Sequence, residues 1–392
     1  MNTVQFQFYR TPKIIFGSGQ IRTLGTLAAS SGSKALLIHG KHSLQLNKKS
    51  EIEALCKAQG VTLFNVEVSG EPSPQVVDDI VGNFRHHGID LIIAIGGGSC
   101  LDTGKAVSAM FPLNESVVNY LEIVGTKKHP GLKLPFIAIP TTAGTGSEGS
   151  ANAVLSIVGK NGFKRSIRHD NLVPDIALID PDLMISCPRE VTAACGMDAL
   201  TQLIESFVSP KASPVTDALV LSSLPHFTES LLKVAGPAPE DQNARATIAY
   251  GSMISGITLA NAGLGVVHGL ASALGGLFPI PHGVICGTLL APAIKITIEK
   301  LRKKNPNSIA IEKYGQIGNI VLNNSENPDI AANNLVEFLY ALTKNLNLPE
   351  LSKFGVKRTD IEHILKESGN KNNPIDLDDS EIREILIERL DE

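Results

Sequence analysis

The chain has no tryptophan and only five tyrosines. A base-stacking surface for nucleic acid is therefore not expected. The net charge of −4 gives it no general electrostatic pull toward nucleic acid or anionic lipid. No stretch reaches the ~18 uninterrupted apolar residues of a membrane span. The opening MNTVQFQFYRTPK lacks the basic and apolar regions of a secretion signal. The five cysteines, Cys56, Cys100, Cys187, Cys195 and Cys286, are scattered, odd in number and form no CxxC pair. They read as reduced thiols of a cytoplasmic protein. Gly98 to Lys105 has one residue too many for a phosphate-binding P-loop, with Ala106 where Ser or Thr belongs.

What remains is a globular chain of 392 residues, 43% hydrophobic and 19% charged, too long for one ordinary core. Its first half alternates strand and helix signals. Apolar runs at 34–40, 61–68, 90–98, 134–140 and 174–181 predict buried parallel strands, with helices between them at 75–87 and 101–110. From about residue 188 the pattern turns helical, over 190–208, 213–234, 242–262 and 266–278. The expected fold is an α/β dinucleotide-binding domain over 1–187 followed by an all-α domain over 188–392, with an active cleft between the halves.

Two loops at predicted strand ends carry ligand chemistry. Gly96, Gly97, Gly98 and Ser99 follow one strand and open a helix, where bare backbone and a helix N-terminus suit a diphosphate. The stretch 140–148 packs Thr141, Thr142, Thr145 and Ser147 with two glycines, hydroxyls suited to phosphate and ribose. Neighbouring strand ends of this kind are where open α/β sheets bind ligands.

In the second half, His268 and His282 lie fourteen residues apart in an apolar, Gly-rich frame. Burying two imidazoles costs free energy unless each nitrogen has a partner. A metal ion is one such partner. Asp198 and Gln202, at i and i+4 on one helix face, are candidates for the missing ligands. Such a set suits Fe²⁺ or Zn²⁺.

Segments 11–19 (TPKIIFGSG), 96–105 (GGGSCLDTGK), 140–148 (PTTAGTGSE), 164–167 (KRSI), 174–183 (PDIALIDPDL), 196–200 (GMDAL), 261–269 (NAGLGVVHG) and 281–283 (PHG) together resemble the iron-containing, group III alcohol dehydrogenases. The fold implied is the dehydroquinate synthase-like pairing of an α/β and a helical domain. The resemblance implies an NAD(P)-linked alcohol dehydrogenase, or aldehyde or ketone reductase, with small-molecule substrates and a homodimeric or larger assembly. By resemblance, GGGS and Asp102 hold the cofactor diphosphate, and Thr141, Thr142 and Thr145 line its adenine and nicotinamide ends. Lys164 lies near the nicotinamide ribose, and Leu183 packs near the cofactor. NAD-selective relatives often carry Asp where this chain has Gly40; with Lys41 and His42 following, NADP is favoured over NAD.

Two positions depart from the pattern. Asp198, His268 and His282 match three of the family's metal ligands, but the fourth, usually His, is Gln202. A further family His, assisting proton relay, is Ser272. Three readings stay open: a metal with Gln202 as ligand or outer partner, a metal with water in its place, or no metal, as in relatives resembling maleylacetate reductase. A lyase resembling dehydroquinate synthase would need Lys and Arg near these motifs, which are poor in both. A non-catalytic dinucleotide-binding protein is the remaining alternative.

Overall fold

The computed structural model describes residues 5–41, 43–44, 46–160 and 162–390. The chain divides into two compact units. One comprises Tyr9–Ile157 and Lys164–Cys187; the other comprises Val158–Phe163, the chain from Pro188 onward and the N-terminal residues up to Phe8.

The first unit is built on parallel strands. The strands are β1 (Lys13–Phe16), β2 (Lys34–Gly40), β3 (Thr62–Val68), β4 (Leu91–Gly96), β5 (Phe136–Pro140), β6 (Asn152–Ile157), β7 (Phe163–Arg168) and β8 (Ile176–Ile179). Among the described residues six form one sheet in the order β1-β8-β5-β4-β2-β3, and β6 pairs with β7. Every pairing in the large sheet is parallel. Helices α1 (Leu24–Ala29), α2 (Leu46–Ala58), α3 (Pro74–Phe84) and α4 (Gly98–Met110) complete the layers.

Alternate residues of each strand explain the two-sided burial. Leu37, Ile93, Ile95, Ile137, Ile139 and Leu178 join Leu24, Ile52 and Cys56 of α1 and α2 in one core. The intervening residues point to the opposite face, where Gly104 of α4 sits so close that a Cβ there would meet Ala94 at 2.6 Å. Both faces of the inner strands β2, β4, β5 and β8 are covered, so these read as continuous apolar runs.

The five predicted runs are strands, each trimmed at one or both ends except 34–40. Three strands lie outside them. β1 is a short edge strand with no buried residue. β6 and β7 carry the polar residues Asn152, Ser156, Lys164 and Ser166, which are buried. Neither pattern resembles a buried apolar run.

The second unit is helical. Its helices are α5 (Arg189–Val208), α6 (Pro214–Ser223), α7 (Phe227–Val234), α8 (Gln242–Ala262), α9 (Val266–Leu277), α10 (His282–Lys304), α11 (Ile309–Leu322), α12 (Pro328–Asn345), α13 (Ile361–Glu367) and α14 (Asp379–Ile387). The predicted helix over 213–234 is two. Pro225 has no N–H to continue the ladder, and His226 takes a left-handed φ of 61°. Helices α8 and α9 meet at a 100° bend, where Gly263 supplies the φ of +71° that ends α8. No single helix is long and apolar enough to cross a membrane.

Glycine also sets the distance between α5 and α10. A Cβ at Gly283 would meet the backbone oxygen of Ala194 at 2.3 Å, and one at Gly287 would meet Met197 Cβ at 2.7 Å. The two glycines are one turn apart, so one face of α10 lies almost backbone-to-backbone on α5. Gly283→Ala forces the helices apart against backbone rather than a yielding side chain. It is expected to cost about 1–3 kcal/mol of stability, measured by denaturant unfolding.

Candidate metal centre and nucleotide loops

Helices α5, α9 and α10 each contribute polar side chains to one buried cluster. Asp198, Gln202 and Glu205 occupy one face of α5 at i, i+4 and i+7. His268 and Ser272 lie on α9, and His282 and Cys286 open α10, again at i and i+4. Asp198 is 1% exposed and His268 5%. His268 Nε2 lies 3.3 Å and His282 Nε2 3.7 Å from Asp198 Oδ1. The two imidazole rings pack edge to face with centroids 5.4 Å apart.

Cys286 completes the cluster. Its Sγ lies 3.6 Å from His268 Nε2 and 3.7 Å from His282 Nε2. Ligand atoms of Asp198, His268, His282 and Cys286 all fall within 4.8 Å of one another. By sequence, Cys286 reads only as one of five reduced thiols. The available signal was its spacing, one helical turn after His282 on the same face.

Gln202 bridges Asp198 and Ser255. Its Oε1 accepts from Ser255 Oγ at 2.8 Å, and its Nε2 donates to Asp198 Oδ1 at 3.3 Å. The amide thus presents N–H to the carboxylate, and its lone pairs face Ser255. Ser272 Oγ donates back to the His268 carbonyl at 2.9 Å and accepts from Lys371 Nζ at 3.3 Å.

Glu205 has a definite partner. One carboxylate oxygen accepts from His268 Nδ1 at 2.6 Å and the other from the Val267 amide at 2.7 Å. A carboxylate only accepts, so Nδ1 carries the proton and Nε2 is aimed at Asp198. This carboxylate–histidine arrangement orients imidazoles that bind metals.

The electrostatics follow from burial and neighbours. Burial pushes the Asp198 carboxyl up, but His282, His268 and Cys286 outweigh it and hold it at about 2. Burial works against an imidazolium at His268; Cys286, Glu205 and Asp198 overcome that and hold its pKa well above the ordinary value. Burial pushes the Cys286 thiol up to about 12. A buried carboxylate that stays ionised beside two imidazoles is a site for positive charge.

In the α/β unit, β4 and β5 end at Gly96 and Pro140, paired in register. Strand β2 neighbours β4 and ends at Gly40. Since β3 lies on one side of β2 and β4 on the other, the chain reverses direction across the sheet there. Gly40 and Gly96 therefore mark a topological switch point. Gly97 caps α4, and a Cβ at Gly97 or Gly98 would meet Thr142 Oγ1 at 3.2 Å or Thr145 Cγ2 at 2.5 Å. The bare backbone lets the two loops touch. Gly40, Gly97, Gly98, Ser99, Thr142 and Thr145 remain half-buried, open to a ligand at the helix N-terminus. His42 lies outside the described residues.

Other predicted cofactor residues point inward. Asp102 accepts from Ser147 Oγ at 2.5 Å and from the Val154 amide at 3.0 Å. Lys105 Nζ donates to the carbonyl and hydroxyl of Ser147, to Ser150 Oγ and to the Asn152 carbonyl. Thr141 and Ser147 are buried, and the Thr141 amide donates to the Gly96 carbonyl. Lys164 is ion-paired with Glu71 at 3.0 Å, and Leu183 packs into the sheet core. Asp102, Lys105, Thr141 and Ser147 brace the loops from beneath.

The geometry now has a family. One family model, iron-containing alcohol dehydrogenase, matches residues 11–181, and its C-terminal partner model, Fe-containing alcohol dehydrogenase family, C-terminal, matches 192–390. The chain belongs to the iron-containing alcohol dehydrogenases. It is 34% identical over 326 residues to long-chain-alcohol dehydrogenase 1 of Geobacillus thermodenitrificans, covering 81% of this chain and 80% of that protein. It is 30% identical over 365 residues to the NAD-dependent methanol dehydrogenase of Bacillus methanolicus, covering 92% of each. The alcohol dehydrogenase from Oenococcus oeni superposes with a TM-score of 0.87 at 27% identity, over 98% of this chain and 100% of that one. As an iron-containing alcohol dehydrogenase the chain is a nicotinamide-linked alcohol oxidoreductase whose family uses a divalent metal.

Beneath the nucleotide loops, burial pushes the Glu148 carboxyl up from 4.5 to about 7, against the pull of its own backbone amide and Lys105. The folded chain keeps a proton there that the unfolded chain has released, so stability falls as pH rises between 4.5 and about 7. Glu148→Gln is expected to flatten that decline in a series of thermal melts across this pH range.

Proposed function

We propose that this chain oxidises a small primary or secondary alcohol, or reduces the matching carbonyl, with a divalent cation at Asp198, His268 and His282. The observation that carries this reading is the buried cluster itself: an ionised carboxylate and two imidazole nitrogens with separations of 3.3 and 3.7 Å. Three such donors are what an open catalytic site requires, and O/N ligands suit Fe²⁺ or Zn²⁺. The bound cation supplies Lewis acidity toward a substrate oxygen.

The chain's own residues do the rest. Glu205 fixes the orientation of His268, so the imidazole needs no reorganisation. Gln202, donating to Asp198 Oδ1, holds the carboxylate in place as the outer partner of the two roles its position allows. Ser272 Oγ, hydrogen-bonded between the His268 carbonyl and Lys371, is a group through which a proton moves to solvent. On the nucleotide side, Gly97, Gly98 and Ser99 present the N-terminus of α4 to the cofactor diphosphate, and Thr142 and Thr145 present hydroxyls to its other ends. Asp102, Thr141 and Ser147 shape this loop pair from below, and the family resemblance supports Lys164 near the nicotinamide ribose and Leu183 packing near the cofactor.

Cofactor preference is decided at Gly40. No carboxylate stands at the end of β2 to repel a 2′-phosphate, and the exposed Lys41 follows it. NADP(H) is therefore the proposed cofactor, with NAD(H) accepted. The five cysteines form no disulfide among the described residues, which supports a cytoplasmic setting, and the family resemblance supports a homodimer or larger assembly.

Two variants test the reading. Asp198→Ala should lower turnover by about three orders of magnitude, the several kcal/mol a Lewis acid supplies, while dinucleotide affinity measured by calorimetry stays within about twofold. Retained turnover sinks the metal-centred account. At Gly40 a Cβ meets only the tip of Ser43, at 2.5 Å, a side chain free to move. Gly40→Asp should thus shift kcat/KM toward NAD by about tenfold or more through repulsion of the 2′-phosphate.

A further inference from the structure

The donor at position 202 and the thiol at position 286 belong to one question: what completes the ligand set? Gln202 has its only ligating atom turned to Ser255, and the N–H₂ it offers to the cluster has no lone pair for a cation. Cys286 Sγ, fully buried, touches the site instead.

The separations carry the argument. Tetrahedral coordination with bonds of about 2.0 Å to N or O and about 2.3 Å to S has edges of about 3.3 Å between N and O, and about 3.5 Å between S and N. The cluster shows 3.3 and 3.7 Å from Asp198 Oδ1 to the two imidazole nitrogens. It shows 3.6 and 3.7 Å from Cys286 Sγ to the same two atoms. Each contact alone is also within reach of a sulfur hydrogen bond, so the assignment rests on the convergence of all four donor atoms within 4.8 Å of one another. The fit extends to the fold, because Gly283 and Gly287 on either side of Cys286 in sequence bring α10 onto α5, where Asp198 resides.

We propose that Cys286, as thiolate, is the fourth protein ligand of the divalent cation, replacing the histidine that Gln202 displaced. This rests on the reading that Asp198, His268 and His282 hold a cation. On binding, the Cys286 S–H bond breaks, its proton goes to solvent and the freed pair is donated to the cation. A soft sulfur donor in place of nitrogen biases the site toward Zn²⁺. It also makes the site sensitive to thiol oxidation.

The test uses Co²⁺ as the probe, added anaerobically to the full chain after chelation. The expected result is about one cobalt per chain, with a near-ultraviolet sulfur-to-cobalt charge-transfer band. In Cys286→Ser that band vanishes while the visible d–d bands persist. Chelator competition should show at least the ~10-fold loss of affinity that even an outer partner's removal brings. Stoichiometric cobalt in the wild type without the charge-transfer band overturns the thiolate ligand and leaves the cation reading standing. Failure of the wild type to bind cobalt at all overturns both. Should Cys286→Ser not fold, the wild-type band alone decides.

Discussion

An ionised carboxylate with 1% of its surface exposed must be met by positive charge or by donors. At Asp198 the fold meets it with two imidazoles, a thiol and the Gln202 amide. Much of the helical unit's arrangement serves this one requirement. His268 reaches it from α9, whose start is set by the turn after α8. His282 and Cys286 reach it from the first turns of α10. Glu205, one helical turn further along α5 than Gln202, then fixes the His268 ring. A site assembled from three helices cannot be altered on one of them without consequences on the others.

The close approach that makes this possible is a property of small residues. Gly283 and Gly287 let α10 lie against the α5 backbone. At Gly265 a Cβ would approach the Glu205 carboxylate to 2.9 Å. The same device recurs in the α/β unit, where Gly97 and Gly98 admit Thr142 and Thr145, and Gly104 admits Ala94. In both units the glycines do not supply flexibility; they remove volume where functional side chains must converge.

The nucleotide loops show a division of labour within a motif. Gly97, Gly98, Ser99, Thr142 and Thr145 stay accessible. Asp102, Lys105, Ser147 and Glu148 form a buried polar layer under them, in which desolvation drives Glu148 up to about 7 and Lys105 down to about 8. Such a network is costly unless satisfied, and here four acceptors lie within reach of Lys105 Nζ, enough to engage every N–H of the ammonium. Residues that a motif groups together thus separate into those that can face a ligand and those that hold the loop's shape.

Period and punctuation in the sequence determined the strand and helix succession, because buried parallel strands and long apolar helices leave local signatures. The spacing of Asp198 and Gln202 on one helix face, and the Gly-rich turn after β4, were legible for the same reason. Local pattern did not reveal β1, β6 and β7, whose stability lies in pairing and buried polar contacts rather than in apolar runs. It also did not reveal the split at Pro225 and His226. The composition of the metal cluster belonged to the tertiary structure. Only the packing of α5, α8, α9 and α10 places Cys286 Sγ against His268, 18 residues away, and Gln202 Oε1 against Ser255, 53 residues away, because such contacts depend on how helices pack, and helix packing is decided by side-chain volume across the whole unit.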